Sequence, residues 1–518
     1  MSRSILQRAA AGLGLWIALG ASAALAANRP NILFIYSDDH SYKTVSCYPE
    51  AYKFAKTPHI DALASRGVRF THCYLGSWCM PSRAVLLTGR HPHGIESMRM
   101  EGAYPGSTYD PAQCPFWPAE LRKAGYHTAQ IGKWHTGVDA GFGRDWDYQI
   151  VWNRPKHPEN AGNYYDRQLL STNGGSDTMT TGYTTDNYSQ WASDYIRGEH
   201  RDPSKPWYLW LCYGAIHGPT TPAARHKGAL KDAVVPTPAD IFGPRPGKPD
   251  YLDKTQAWSK GPGGIPVMGK SGEAFGDESA QNARTHQKWV QQVNECVMAL
   301  DEGIGKVLAA LRESGQLENT LVVFSADQGF ASGEHGCRSK LCPYDANYRS
   351  PLIISMPGTI PEGKVCPQSV NAPDLVVTFH AFARQPLPWK MHGRDLSPLL
   401  KDPAAAWPHP TLYEHLGHDY GSDTTKVLTA DPKHAVHNNV PWYIALRERN
   451  LKYIRYLKGG EMEELYDLAA DPDELTNLAL LPEHADELAR LRAVAVAELR
   501  RTEAGFVDHL PPTRQMQP

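Results

Sequence analysis

The stretch "PNILFIYSDD", residues 30 to 39, decides how this chain is interpreted, because its apolar run stops at the paired carboxylates Asp38 and Asp39. A short, continuously apolar run is typical of a strand that is buried on both faces of a parallel sheet. Polar groups directly after such a strand lie at its carboxyl end, where α/β sheets collect their ligands. The stretch therefore predicts an α/β fold with a functional site at one edge of the sheet.

Three further segments continue this pattern along the chain. "PWYLWLCYGAIHGP" (206–219) ends near His217, "TLVVFSADQG" (320–329) ends near Asp327 and Gln328, and "PAELRKAGYHTAQIGKWH" (118–135) indicates helix, turn and strand. Strands that alternate with helices imply a large, mixed but mostly parallel sheet sandwiched by helices. We therefore expect the polar residues at these strand ends to converge on one edge.

Two regions interrupt the alternation. Residues 218–285 are rich in Pro, Gly and Lys and indicate a long excursion, either a substrate-shaping loop or an insertion. After Leu400 the segment "YIALRERNLKYIRYL" and a helical C-terminal stretch indicate a small antiparallel sheet with a helix. We therefore expect a main domain over residues 27–400 and a smaller C-terminal α+β subdomain over residues 401–518.

The first 26 residues differ from the rest of the chain. Arg3 and Arg8 precede an apolar run, and Ala24-Leu25-Ala26 provides the small-x-small pattern of a leader-peptidase site. A membrane anchor is the alternative, since the run approaches spanning length, but its Gly and Ala content favours cleavage. We expect residues 1–26 to be a signal peptide, and the mature protein to be periplasmic or extracellular without stable membrane insertion.

Composition and charge narrow the range of partners. The 518 residues are 41% hydrophobic and 21% charged, and 53 basic against 55 acidic side chains leave a formal net charge of -2. This composition is ordinary for a soluble globular protein. Since no global field draws the chain to nucleic acid or acidic membranes, we expect no nucleic-acid partner. Any anionic ligand must be held by a local cluster of charges.

Cys79 has an unusual setting in "SWCMPSRAVLLTGR", residues 77 to 90. Pro81 suits the first turn of a helix, an apolar body follows, and Gly89 is a suitable stop. Cys79 is therefore predicted to lie at a helix N-terminus, where the helix dipole and Arg83 would make an ordinary thiol acidic and reactive. Half of a disulfide is the alternative interpretation.

The cysteine count bears on the same question. Nine cysteines are an odd number, so an oxidising compartment would leave one of them unpaired. Their spacing shows no paired sets with histidines that would indicate a structural zinc site. Cys337 and Cys342 flank Lys340 and can close a small loop, although sequence alone does not fix the connectivity.

The motif Cys79-x-Pro81-Ser82-Arg83, followed by "AVLLTGR", resembles the signature of the type I sulfatases, which have an alkaline-phosphatase-like fold. The resemblance covers nearly all of the expected mature chain, through the ordered blocks "GKWH" (132–135), "GAIHGP" (214–219), "SADQG" (325–329), "HGCRSKLCPYDANYRSPLI" (335–353) and "ELYDLAADPDELTNLA" (464–479). One short motif can occur by chance, but six ordered blocks indicate membership of the family.

The resemblance implies that Cys79 is oxidised after translation to formylglycine by a formylglycine-generating enzyme, a partner during maturation. The hydrated aldehyde offers one hydroxyl to attack sulfur and a second to eject the product, whereas a plain serine would leave a sulfate ester that needs separate hydrolysis. If Cys79 is consumed in this way, eight cysteines remain, which is an even number.

The resemblance also implies one calcium ion, with Asp38, Asp39, Cys79, Asp327 and Gln328 as its ligands. Adjacent carboxylates would repel one another without a cation, and a hard cation with oxygen ligands would neutralise the substrate's charge. A solvated turn would explain "SDD" alone, but the second polar pair in "SADQG" favours the metal site. Gln328 replaces the Asn or His of many relatives and still offers a neutral oxygen.

The resemblance to the type I sulfatases also implies a role for several further residues. Arg83 is expected to contact the formylglycine hydroxyl and the metal-site carboxylates, Lys133 and Lys340 to bind the sulfate oxygens, His135 to take a proton, and His217 to protonate the leaving alcohol. Asp345 and Arg349 are weaker candidates, since a surface or interdomain salt bridge explains them equally well. Residues that flank the motifs and are expected to line substrate subsites are Trp78, His91, His93, Arg99, Arg144 and Trp146.

The predicted function is that of an exported sulfatase acting on a sulfated polysaccharide or oligosaccharide, such as a carrageenan-type galactan. The alternatives are an arylsulfatase and a phosphonate or phosphate monoester hydrolase on the same fold. A non-catalytic calcium and glycan binder remains the alternative if Cys79 stays a thiol. Relative turnover of sulfate and phosphate esters distinguishes the enzymes, and binding without turnover distinguishes the binder.

Overall fold

The computed structural model describes residues 29–101, 106–269 and 285–513. The predicted signal peptide, residues 1–26, lies outside the described residues. Among the helices that the described ranges contain, none has the length and apolar character needed to cross a membrane.

A ten-stranded sheet forms the centre of the molecule. Its strands in chain order are β1 (Asn31–Ser37), β2 (Val68–Tyr74), β3 (His127–Trp134), β4 (Tyr148–Asn153), β5 (Gln168–Thr172), β6 (Asp177–Thr180), β7 (Trp207–Cys212), β8 (Thr320–Ala326), β9 (Arg349–Ser355) and β10 (Lys364–Asn371). Their order across the sheet is β10-β2-β9-β8-β1-β7-β3-β4-β5-β6. The five central strands, from β8 to β4, are all parallel, while β9 and β5 run antiparallel to their neighbours.

The apolar run that opens the chain forms β1, which is buried at every position. Alternate side chains contribute to two different cores: Ile32 and Phe34 belong to one, Leu33 and Ile35 to the other. This is the pattern of a strand covered on both faces. The α/β prediction, with a large and mostly parallel sheet sandwiched by helices, is therefore confirmed.

The helices cover both faces of this sheet. In chain order they are α1 (Pro58–Ser65), α2 (Cys79–Thr88), α3 (Pro118–Lys123), α4 (Thr184–Arg197), α5 (Tyr251–Lys254), α6 (His286–Glu313), α7 (Asp345–Tyr348), α8 (Ala372–Phe382), α9 (Ser397–Lys401), α10 (Gly421–Ala430) and α11 (Ala485–Arg501). Helices α2 and α8 pack into the core that contains Phe34, and α4 and α6 pack into the core that contains Leu33. Cys79 is thus carried by a helix that packs on one face of the sheet.

The predicted excursion is anchored on the long helix α6. It contains α5 and a short hairpin, Trp258–Lys260 with Pro266–Met268, in an otherwise irregular chain. Ile241 and Trp258 pack against Trp289 and Val290 of α6. Aromatic packing against a helix therefore holds the described part of the excursion against the main domain.

A second, four-stranded sheet follows in the C-terminal region. It consists of β11 (Thr411–His415), β12 (Tyr443–Glu448), β13 (Leu451–Tyr456) and β14 (Glu464–Asp467), paired antiparallel in that order. Leu491 and Leu499 of α11 pack with Leu446 and Leu465 of this sheet. The predicted antiparallel sheet with a helix is confirmed, and the boundary at residue 400 stays a prediction.

Asp345 and Arg349 are both buried, but the ion-pair partner Lys452 of Asp345 is buried too, whereas the ion-pair partner of Arg349 is 40% exposed. Asp345 Oδ1 accepts hydrogen bonds from Lys452 Nζ of β13 at 2.7 Å and from the Tyr74 hydroxyl at 2.8 Å. Lys452 Nζ also donates to Glu474 Oε1 at 2.7 Å. The Asp345 contact joins the main sheet to the C-terminal sheet. It is therefore a salt bridge between two parts of the fold, as in the alternative interpretation of Asp345. Arg349 pairs with Glu50 Oε1 at 3.0 Å.

Replacement of Lys452 by methionine is expected to destabilise the protein by about 3–5 kcal/mol, because it leaves two buried carboxylates without their shared cation. Lys452 is fully buried, and the side chains of Asp345 and Glu474 are only 6% and 2% exposed. Lys426→Met is the matched control: that side chain is 71% exposed in its pair with Asp423, so its loss should cost about 0–1 kcal/mol. Urea unfolding measures both. Equal effects of the two changes would contradict the role given to Lys452.

Candidate active site

The predicted oxygen ligands lie at the carboxyl ends of the neighbouring strands β1 and β8. The two strands pair in parallel with Ser37 opposite Ala326, so the residues that follow them leave the sheet side by side. The backbone N–H of Asp327 donates to the Ser37 carbonyl at 3.0 Å, and that of Asp39 donates to Asp327 Oδ1 at 2.9 Å. The register of the sheet thus brings together Asp38, Asp39, Asp327 and Gln328.

Three oxygen atoms of this group have no hydrogen-bond partner among the described residues. They are Asp38 Oδ1, Asp327 Oδ2 and Gln328 Oε1, and all three residues are fully buried. One ligand atom from each of Asp38, Asp39, Cys79 and Asp327 lies within 4.8 Å of the others. Buried oxygens without a partner are costly, and oxygen ligands suit a hard divalent cation. The donor set therefore fits a divalent metal ion.

Three basic side chains compensate the carboxylates. Arg83 is fully buried, and its Nη2 donates to Asp38 Oδ2 at 2.9 Å. Lys133, in β3, contacts the same oxygen. Lys340 Nζ donates to Asp39 Oδ1 at 2.5 Å. Since an ammonium group has three donors, both lysines keep N–H groups with which to bind an anionic ligand.

The two buried carboxyl groups of Asp38 and Asp327 have opposite pKa shifts. Burial raises the pKa of Asp38, but the charges of Lys133 and Arg83 outweigh it and hold that pKa well below its usual range. Burial raises the pKa of Asp327 well above its usual value, and the negative charge of Asp38 raises it further. The cationic side chains therefore neutralise only part of the cluster, which favours a further positive charge beside Asp327.

Cys79 is the first residue of α2, as predicted, and it is 3% exposed. Lys340 Nζ donates to its Sγ at 3.1 Å. Burial opposes ionisation of the thiol, but Lys133 and Lys340 outweigh it and lower the pKa of Cys79 to about 6. A nucleophile at position 79 therefore lies between the cluster of carboxylates and the Lys340 ammonium, which can hold an anionic group of the substrate.

Two histidines flank this group. His217 Nδ1 lies 2.7 Å from the Gly218 carbonyl oxygen. Because a carbonyl oxygen can only accept a hydrogen bond, Nδ1 carries a hydrogen. The other ring nitrogen, Nε2, lies 3.9 Å from Asp39 Oδ2. His135 directly follows β3 and is 4% exposed, and neither ring nitrogen has a partner among the described residues. Burial, followed by the charge of Lys133, holds the pKa of His135 well below its usual range. Its imidazole is therefore neutral.

Trp78 lies directly before the nucleophile position. Its ring packs edge-on against His418, with 5.5 Å between centroids, and beside His437 at 5.2 Å. Its indole N–H is buried without a partner among the described residues. The position of Trp78 is therefore compatible with the predicted contact to substrate.

The other residues predicted to line subsites have their contacts elsewhere. His91 is 3% exposed, and its ring lies 5.6 Å from those of His93 and His392, which stack on one another at 5.1 Å. Arg144 is held by Asp139 and Asp145, Arg99 pairs with Asp423, and Trp146 is buried in the main core. None of these contacts includes Cys79, and a role for these side chains in substrate binding stays a prediction.

The structure adds residues that sequence reasoning did not single out. Ser82 Oγ donates to the Asp327 carbonyl at 2.6 Å and bonds the Tyr36 hydroxyl at 2.6 Å, which ties α2 to the metal-ligand strands. His415, the last residue of β11, bonds Ser77 Oγ through Nδ1 at 2.9 Å. A sequence signal could have identified His415. In "YEHLGH", as in the segment that contains His217, a histidine follows a short stretch with strand-forming residues and a glycine comes shortly after it.

Comparison with known proteins agrees with this arrangement. The chain matches the family "Sulfatase" over residues 30–383 and the family "N-sulphoglucosamine sulphohydrolase, C-terminal" over residues 333–501. An N-acetylglucosamine-6-O-sulfatase of Bacteroides thetaiotaomicron is 28% identical over 94% of this chain and 88% of its own length.

Solved structures have the same fold over almost the whole chain. A protein in complex with its substrate D-glucosamine-2-N,6-O-disulfate superposes with a TM-score of 0.77 at 25% identity, covering 93% of this chain and 99% of its own. A complex with k-i-k-neocarrahexaose superposes with a TM-score of 0.62 at 21% identity, covering 93% of each chain, and shows the fold alone. Because the family match spans residues 30–383 and includes Cys79, the metal-ligand candidates and the basic residues beside them, the chain belongs to the sulfatase family and is a sulfuric ester hydrolase.

Proposed function

We propose that this sulfatase hydrolyses a sulfate ester on a saccharide, with residue 79 acting as formylglycine and a calcium ion bound beside it. The observation that carries the proposal is the setting of Cys79. Its Sγ lies 3.1 Å from Lys340 Nζ and belongs to the same cluster as the buried, unpartnered oxygens of Asp38 and Asp327. A nucleophile, an anion-binding cation and a set of oxygen ligands for a metal thus lie in one cluster.

Calcium would be held by Asp38, Asp39, Asp327 and Gln328, and when bound it would supply positive charge to offset the carboxylates and the sulfate group. Formylglycine at position 79 would supply a geminal diol, which allows attack on sulfur and release of sulfate without a separate hydrolytic step. Gln328 fits this set because its Oε1 is free to act as a neutral ligand.

The protein's own side chains then have distinct tasks. Lys133 and Lys340 bind the sulfate oxygens with the N–H groups that their carboxylate contacts leave free. Arg83, held between Asp38 and the Lys133 carbonyl at 2.9 Å from each, fixes the ligand Asp38. His217 donates to the leaving oxygen the proton that Nε2 carries when both ring nitrogens bear a hydrogen, and neutral His135 accepts one from residue 79.

For the substrate we propose a 6-O-sulfated glucosamine unit. The support comes from the relative named N-acetylglucosamine-6-O-sulfatase and from the structural neighbour bound to D-glucosamine-2-N,6-O-disulfate, both of which align along nearly the whole chain. A carrageenan-type galactan is the second candidate, favoured by the neighbour bound to a neocarrahexaose. We also propose that the enzyme is exported through residues 1–26 and matured by a formylglycine-generating enzyme.

The test is a comparison of kcat/KM for sulfate release by the calcium-loaded enzyme, expressed together with a converting enzyme. The substrates are N-acetylglucosamine 6-sulfate, a carrageenan oligosaccharide, 4-nitrophenyl sulfate and a phenyl phosphonate ester. The 6-sulfated sugar is expected to give the highest value. A higher value for the phosphonate would establish the alternative hydrolase, and binding of the sugar without any turnover would establish the non-catalytic alternative.

His217→Ala is expected to slow hydrolysis of the sugar sulfate by about 10²- to 10⁴-fold, because a sugar alkoxide leaves poorly without a proton. The same variant should slow 4-nitrophenyl sulfate by less than about tenfold, because that leaving group is stable as an anion. The ratio of the two kcat values measures the effect. An equal loss on both substrates would show that His217 acts on binding or folding and not on the leaving group.

A further inference from the structure

The loop that carries Lys340 is bracketed by two buried cysteines. The Sγ atoms of Cys337 and Cys342 lie 3.5 Å apart, and the two residues are 3% and 2% exposed. Between them, Lys340 Nζ reaches Asp39 Oδ1 at 2.5 Å and Cys79 Sγ at 3.1 Å. The two sulfur atoms therefore lie at the base of the loop that presents a cation to the nucleophile.

The backbone of this loop is strained on both sides of Lys340. Ser339 has a φ of 92° and Leu341 a φ of 87°, a region that residues other than glycine enter at a cost. Such a conformation persists only where the surroundings hold it. Side-chain contacts to the loop contribute: Asn347 Nδ2 donates to the Ser339 carbonyl at 2.8 Å, and the Tyr443 hydroxyl donates to the Leu341 carbonyl at 2.7 Å.

The two ends of the loop are anchored as well. The Cys337 carbonyl accepts hydrogen bonds from Trp258 Nε1 at 3.1 Å and from the Gly333 N–H at 3.0 Å. Both cysteines belong to the buried cluster that contains Tyr344 and Tyr443. The two sulfur atoms are thus held 3.5 Å apart, and formation of a bond would bring them to about 2.05 Å.

We propose that Cys337 and Cys342 form a disulfide that closes this loop and fixes the position of Lys340. The two thiols lose two protons and two electrons as the S–S bond forms. A disulfide-bearing exchange partner, either a thiol–disulfide oxidoreductase or oxidised glutathione, accepts them and is reduced to two thiols through a mixed disulfide. Because both sulfurs are buried in the folded chain, the exchange occurs before the loop packs. The cysteines are positioning residues, since they act through Lys340.

A peptide map of the full chain tests the bond itself, without reference to activity. The protein is folded in the presence of oxidised glutathione, denatured, alkylated and digested with trypsin, which cleaves after Arg338 and Lys340. The expected product is Glu313–Arg338 joined to Leu341–Arg349, and the pair should separate on reduction. Recovery of both peptides alkylated and unlinked would overturn the proposal.

A double-mutant cycle tests the link to Lys340, and this second part rests on the proposed sulfatase function. The change of both Cys337 and Cys342 to Ala is expected to lower kcat about tenfold with KM changed less, as for a misplaced catalytic group. In a protein that already carries Lys340→Ala, the double cysteine change should cause little further loss of kcat, because the side chain that the cysteines position is absent. Cys366→Ala, in strand β10 and in a different core, is the control for loss of a buried thiol.

Equal losses in both backgrounds would overturn the positioning role. If the double variant does not fold, the comparison of oxidised and reduced wild-type enzyme replaces it: reduction should lower kcat in wild type and have no effect in Lys340→Ala. A linked peptide pair in a protein without sulfatase turnover would contradict the proposed function and leave the disulfide intact.

Discussion

Cys79→Ala is expected to lower turnover of the sulfated sugar by at least about 10⁴-fold, the usual cost of removing an enzyme's nucleophile. The residue begins α2, is buried, and lies against Lys340 in the cluster that contains the oxygen ligands. Cys79→Ser is expected to be as inactive in steady state, for a different reason. A serine hydroxyl can attack sulfur once, but it leaves a sulfate ester that the site cannot eject.

Intact mass separates these two variants after incubation with substrate. The serine variant should gain one sulfo group per chain, and the alanine variant none. Cys366→Ala is the control, because Cys366 is an equally buried cysteine in the edge strand β10, and it should retain wild-type kcat. Steady-state activity of Cys79→Ala above a tenth of the wild-type value would contradict the assignment of residue 79 as the nucleophile.

Asp327→Asn is expected to abolish calcium binding and to reduce kcat/KM about 10³-fold, since a catalytic metal ion contributes several kcal/mol of charge stabilisation. Asp327 Oδ2 is fully buried and has no hydrogen-bond partner among the described residues, so the change removes a negative charge aimed at the metal site. Its Oδ1 accepts the N–H groups of Asp39 and Gln328, and the Asn oxygen can replace it there.

Thermal unfolding with and without calcium provides a readout that does not depend on activity. A ligand at 100 times its Kd stabilises a protein by about 2.7 kcal/mol, so calcium should raise the Tm of the wild type and leave that of Asp327→Asn unchanged. Asp301→Asn is the matched control, because Asp301 is also buried and, within the described part of the chain, accepts hydrogen bonds from the N–H groups of His59 and Ile60 only. A calcium-dependent rise in Tm for Asp327→Asn would contradict the assignment.

The main sheet and the grouping of the acidic residues follow from local sequence. The apolar runs of β1 and β8 each end in polar pairs, and parallel pairing of such strands leaves their ends side by side. The start of α2 at Cys79 and its end before Gly89, at a φ of 69°, follow equally from Pro81 and the glycine stop. These features depend on residues that are close in sequence or on strand periodicity, so they could be predicted.

Contacts between distant segments could not be predicted in the same way. His91 follows the first motif closely, yet it packs against His392, more than 300 residues away. Conversely, His418 and His437 reach Trp78 from the C-terminal region. Lys452 pairs with Asp345 because β13 packs beside the main sheet. Proximity to a motif in sequence does not fix which side of the fold a side chain faces, and these pairings depend on how the two sheets meet.

The most direct test of the account is the mass of the tryptic peptide Phe70–Arg83 from enzyme with full activity. The peptide contains both Cys73 and Cys79, so one cysteine serves as the internal reference for the other. The account predicts that residue 79 has lost its sulfur and carries an aldehyde or its hydrate, while Cys73 keeps its thiol. A fully active enzyme whose peptide retains both cysteine sulfurs would contradict it.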